Sequence, residues 1–180
     1  MEIRNNILVS IGDADIINGK FTVPEEVTKI GENVFENRSD LIELNAQNVE
    51  VIGASAFYNC KNLKKVIMPN LEYINFYAFD NCISLPCPND KIKREIYELT
   101  LKYLYEDNLN GLCYSINAAI RDAIIKYKQA ICLQTCFPLF TYENAVKKFG
   151  ATGRRGCFWW LLKNREIRKD FLQWCYENKK

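Results

Sequence analysis

The stretch VEVIGASAFYNCKNLKKVIMPN (Val49–Asn70) is preceded by VTKIGENVFENRSDLIELNAQN and followed by LEYINFYAFDNCISLPCPND, and the three begin 22 residues apart. Aligned, they give Val27/Val49/Leu71, Ile30/Ile52/Ile74, Val34/Ala56/Ala78, Phe35/Phe57/Phe79 and Leu41/Leu63/Leu85. No single copy has enough apolar side chains for a core of its own. Copies stacked as coils bury like upon like, so a constant pitch restricts the chain to a solenoid. The recurring Asn37/Asn59/Asn81 suits a turn in which its side chain satisfies backbone groups.

Within each copy, LKKVIMP reads as a short strand with Leu63, Val66 and Met68 inward and Lys65 and Ile67 outward. The outward set then comprises Ile42, Glu43 and Asn45 in one coil and Lys64, Lys65 and Ile67 in the next. Upstream, NNILVSIGDADIINGKFTVPEE has an alternating apolar run and a glycine turn, the pattern of a hairpin-like N-terminal cap. Downstream, Pro86 and Pro88 interrupt the third copy, since proline cannot donate to a strand ladder.

At VxxIGxxAFxNCxxLKxVxMP the chain resembles the BspA-type leucine-rich repeat family over about residues 21–85. A pitch of 22 lies within the roughly 20–29 residues of such coils. The resemblance implies a non-catalytic fold whose exposed strand positions bind other proteins.

From NDKIKREIYELTLKYLYED onward the pattern turns helical. Asn89 or Asp90 is placed to cap a helix whose face is Ile92, Ile96, Leu99 and Tyr103. A longer helix is predicted from Gly111 until Pro138, with Leu112, Ile116, Ala119, Ile120, Ile124 and Tyr127 inward. A short helix follows from Thr141 to Gly150, then an irregular connector. Asn164 opens a terminal helix that buries Ile167, Phe171 and Trp174 or Cys175. Through Gly111-Leu112-Cys113, Trp159-Trp160 and Arg168–Leu172 this half is similar to a module of tailed-phage proteins. That resemblance implies a phage origin.

Charge divides the chain the same way: residues 1–90 carry 7 Lys+Arg against 13 Asp+Glu, and residues 91–180 carry 17 against 9. The expected organisation is therefore α+β, a solenoid of about three coils over residues 1–88 and a helical domain over 89–180. No apolar run approaches the roughly 20 residues of a membrane span. The N-terminus lacks the apolar core of a secretory signal, so a cytoplasmic location is expected, in a bacterial host if the chain is phage-encoded.

Chemistry is sparse. Histidine is absent, which removes the usual general base. Eight cysteines occur without a CxxC pair, and Cys132 and Cys136, four apart, would share a helix face. Reduced, mostly buried thiols are expected, with no metal site, no cofactor and no catalysis. GATGRRG places Arg154 and Arg155 among glycines, and CFWWLLKNREIRK joins Trp159 to Lys163, Arg165 and Arg168. Those six residues could meet phosphates and a base. The expected role is a protein-interaction module acting on a host protein through Glu43, Asn45, Lys64, Lys65 and Ile67. Nucleotide or nucleic-acid binding through segment 150–168 is the alternative.

Overall fold

The protein is described by a computed structural model, in which residues 1–106, 112–132, 170, 173, 174 and 177 are described. Among the described residues eight short strands form two sheets. β1 (Glu2–Arg4), β2 (Ile7–Ser10), β4 (Lys29–Ile30), β6 (Val51–Ile52) and β8 (Tyr73–Ile74) make one sheet, in the order β1-β2-β4-β6-β8. The second sheet holds β3 (Lys20–Thr22), β5 (Glu43–Asn45) and β7 (Lys65–Ile67), in that order. All pairings are parallel except β1 with β2, as expected when successive turns of one spiral lie side by side.

The aligned rows of the repeat are the rows of the core. Ile30, Ile52 and Ile74 stack, as do Val27, Val49 and Leu71, and Leu41, Leu63 and Leu85, all at most 3% exposed. Phe35 and Phe57 lie 4.9 Å apart between ring centroids, and Phe57 and Phe79 lie 5.0 Å apart, both pairs nearly parallel. Phe21 closes the near end of this stack edge-on, 5.1 Å from Phe35. Coil spacing and ring spacing agree with the roughly 4.8 Å between hydrogen-bonded strands, so backbone and side chains impose the same repeat.

The recurring asparagines do something other than the expected backbone bonding. Asn37, Asn59 and Asn81 take left-handed φ of 62°, 62° and 58°, which asparagine tolerates better than most residues. Their amides bond one another: Asn59 Nδ2 donates to Asn37 Oδ1 at 2.6 Å and Asn81 Nδ2 to Asn59 Oδ1 at 2.5 Å. Beside them, Cys60 and Cys82 donate their thiols to the Phe35 and Phe57 carbonyls at 2.9 and 3.0 Å. Gly53 lies tight against the preceding coil, where a Cβ would stand 2.7 Å from the Gly31 carbonyl carbon.

The N-terminal segment is more than a hairpin cap. β1 and β2 do form a hairpin, but β2 also extends the first sheet and β3 begins the second. Leu8 thereby adds a fourth rung beneath Ile30. At the other end, sheet two stops at β7. Pro86 occupies the position equivalent to Lys64, whose N–H donates to Ile42 at 2.8 Å, and proline has no such donor.

Helices close that end. α1 (Asp90–Glu106) starts at Asn89, whose Oδ1 accepts the Ile92 N–H at 3.0 Å. Ile92 and Ile96 are buried in the common core, with Leu99 and Tyr103 partly buried. α2 (Leu112–Tyr127) contributes Ala119, Ile120, Ala123 and Ile124 to the same core. It ends ten residues before the predicted stop. Lys128 turns left-handed at φ 52°, and its ammonium bonds the Leu71 carbonyl. Non-helical residues 129–132 then bury Ala130, Ile131 and Cys132, so Cys132 is not on a helix as expected, while Cys136 lies outside the described residues. Trp174 packs half-buried on the core, while the expected helices over 141–150 and 164–180 otherwise lie outside the described residues.

Tyr103 donates to Asp122, and Lys126 and Tyr127 both donate to Glu95, tying α1 to α2. The Lys126 ammonium, then the Tyr127 hydroxyl, hold the Glu95 carboxyl below its ordinary value of 4.5. A carboxyl depressed in the folded state stabilises fully above the unfolded value, and this is lost as pH falls through the folded one. Urea titrations below pH 4.5 should therefore show a steeper acid loss for the native chain than for Glu95→Gln. Removing the middle ring, Phe57→Ala, should cost about 3–5 kcal/mol in the same assay.

Candidate functional site

The β3-β5-β7 sheet alternates strictly. Phe21, Leu44 and Val66 point to the core, whereas Lys20/Glu43/Lys65 and Thr22/Asn45/Ile67 form two outward rows in register. Just before these strands, Gly19, Ile42 and Lys64 align through the Ile42 N–H to Gly19 and the Lys64 N–H to Ile42. Gly19 has φ 76°, and an added Cβ there would stand 2.7 Å from Ile42 Cδ1. Its missing side chain gives Ile42 room to lie across the row, 38% exposed.

The face has a defined charge pattern. Lys20 pairs with Glu43 at 3.2 Å, which ties the first two strands together at the surface. Lys64 and Lys65 carry no ion pair among the described residues. An open depression of about 210 Å³ lies over the strands, lined by Lys20, Thr22, Glu43, Asn45, Lys65 and Ile67 among others. In its floor Asn45 Oδ1 is buried and accepts no hydrogen bond. A buried acceptor without a donor is costly in a native protein and calls for a reason.

Sequence reasoning placed Glu43, Asn45, Lys64, Lys65 and Ile67 on one surface, and the structure brings all five together. It missed Lys20 and Thr22. Residues 5–19 lack the Phe and Asn signature, and Phe21 precedes its partner Leu44 by 23 residues instead of 22. The available signal was the triplet polar–apolar–polar in KFT, which ELN repeats. Arg154, Arg155, Trp159, Lys163, Arg165 and Arg168 lie outside the described residues.

Catalytic groups do not assemble on this face. The cysteines of the repeat are inside: hydrogen bonding to Cys60, then burial, pushes the Cys82 thiol up, opposite to what a nucleophile requires. Among the described residues no cluster of His, Cys, Asp and Glu could hold a metal, and no helix is long and apolar enough to cross a membrane.

The comparisons agree with the coil geometry. A family model described as BspA type leucine rich repeat region (6 copies) matches residues 15–126. The chain belongs to the BspA-type leucine-rich repeat family. A leucine-rich repeat protein of T. pallidum is similar at 24% identity, covering 37% of this chain and 35% of its own, with a TM-score of 0.36. A leucine rich cell surface protein of Faecalibacterium prausnitzii A2-165 is similar at 31% identity, covering 37% of this chain and 22% of its own, with a TM-score of 0.35. The matches thus span about a third or less of each of those proteins' lengths. No curated protein matches this BspA-type chain.

The orphaned acceptor makes its own prediction. Asn45→Leu replaces it with an apolar group of similar size, so the chain should become more stable, by about 1 kcal/mol. Urea denaturation of the variant measures this; a loss of stability would mean that Asn45 supports the fold.

Proposed function

We propose that this BspA-type repeat protein is a non-catalytic interaction module whose partner docks on the β3-β5-β7 face. One observation carries the reading. The inward positions of these strands form a uniform apolar row, while the outward ones differ from coil to coil. Solenoids use such variable outward positions for recognition, because the backbone beneath them is rigid. The face spans three strands and is small, so a single compact site on the partner fits it better than an extended surface.

The finer reading is that the partner is a bacterial host protein and that the chain acts in the host cytoplasm. Its support is the similarity of Gly111-Leu112-Cys113 and Trp159-Trp160 to tailed-phage modules. Domain division at residue 88 follows the same reading, with coils presenting the face and helices sealing the last coil.

Capture from bacterial lysate tests the face. Thr22→Trp with Ile67→Trp obstructs it whatever the partner's charge, whereas Glu72→Trp, beside β8 of the other sheet, leaves it open. A partner specific to the native chain should be lost with the first pair and kept with the second variant. Retention by the Thr22/Ile67 pair would exclude this face.

A further inference from the structure

The charge of the face is opposite to that of the body that carries it. Lys20, Lys64 and Lys65 are three of the seven cations in residues 1–90, while Glu43 is one of thirteen carboxylates. The face is therefore a basic island on an acidic solenoid. Lys20 is already engaged with Glu43, which leaves the uncommitted positive charge at Lys64 and Lys65, on the β7 side. Ile42 and Ile67 flank those ammonium groups with apolar surface.

We propose that this face receives a short, extended, acidic segment of a protein partner. Its carboxylates meet Lys64 and Lys65, and one apolar side chain rests on Ile67. The inference rests on the reading of the face as an interaction surface and names what that surface selects. Dimensions set the length: three strands about 4.8 Å apart make an island about 10 Å wide, matching three or four extended residues. A second depression of about 180 Å³, lined by Lys64, Lys65, Val66, Leu85, Pro86 and Gln129 among others, continues the path past β7. A phosphate chain longer than the island would run onto the carboxylate-rich coils, so a protein segment that carries its charge locally is the better match. Cations with no ion pair among the described residues also steer such a partner into register.

Two pools of labelled peptides about ten residues long test this on the full chain, one with Asp/Glu at three positions among Leu and Ile, the other with Lys/Arg in their place. Fluorescence polarisation should show the acidic pool bound about ten-fold more tightly than the basic pool, weakening several-fold as salt rises from about 50 to 300 mM. Lys64→Glu with Lys65→Glu should invert the preference. Equal binding of the pools, binding of neither, or a preference that survives the lysine reversal overturns the proposal. So does an oligothymidine bound more tightly than the acidic pool through the same lysines. A lysate partner lost with the Thr22/Ile67 tryptophans but indifferent to the lysine reversal would remove this inference alone and keep the face.

Discussion

Every feature of this protein depends on the agreement between two spacings. Strands in a ladder sit about 4.8 Å apart, and aromatic rings stack offset at nearly the same distance. Phe35, Phe57 and Phe79 meet at 4.9 and 5.0 Å, so one pitch satisfies the backbone ladders and the packed interior together. The cysteine thiols and asparagine amides obey the same condition, each bonding the coil before it. A side chain of different length at any of these positions breaks a row and not merely a contact.

That condition explains why so much of the solenoid could be read from the sequence. Periodic burial at 22 residues leaves an unmistakable trace, and the prolines at 86 and 88 and the cap at Asn89 are local chemistry acting where it stands. The features that escaped are those in which tertiary structure overrides local pattern. Leu8 fills the Ile position of a coil that otherwise lacks the signature, and a 23-residue step hides β3 from an alignment at 22. Apolar residues beyond Tyr127 read as more helix, yet Lys128 turns left-handed and Ile131 joins the coil core. The asparagine ladder needs its neighbours above and below, and no single copy reveals them. Of the face, two strands of three were readable, because only they carry the repeat.

The division of labour along each strand is also physical. Inward residues are fixed by the rung on either side, so they vary little in size from coil to coil. Outward residues meet only solvent and one another, which frees them to differ, and here they do: Lys20, Glu43 and Lys65 alternate in sign along one row. An acceptor kept without a donor, at Asn45, runs against folding stability.

Closure is asymmetric. The near end is finished by a hairpin and the edge-on Phe21 ring, and the far end by prolines and by α2 on the last coil, with α1 packed on α2. The middle coil, by contrast, touches copies of itself on both sides. Duplicating Val49–Asn70 within the gene would insert a turn that meets only surroundings it already knows, with both ends intact. Each such duplication would widen the exposed sheet by about one strand spacing. Growth of the exposed face in this architecture is therefore a matter of counting turns, with no new fold to invent.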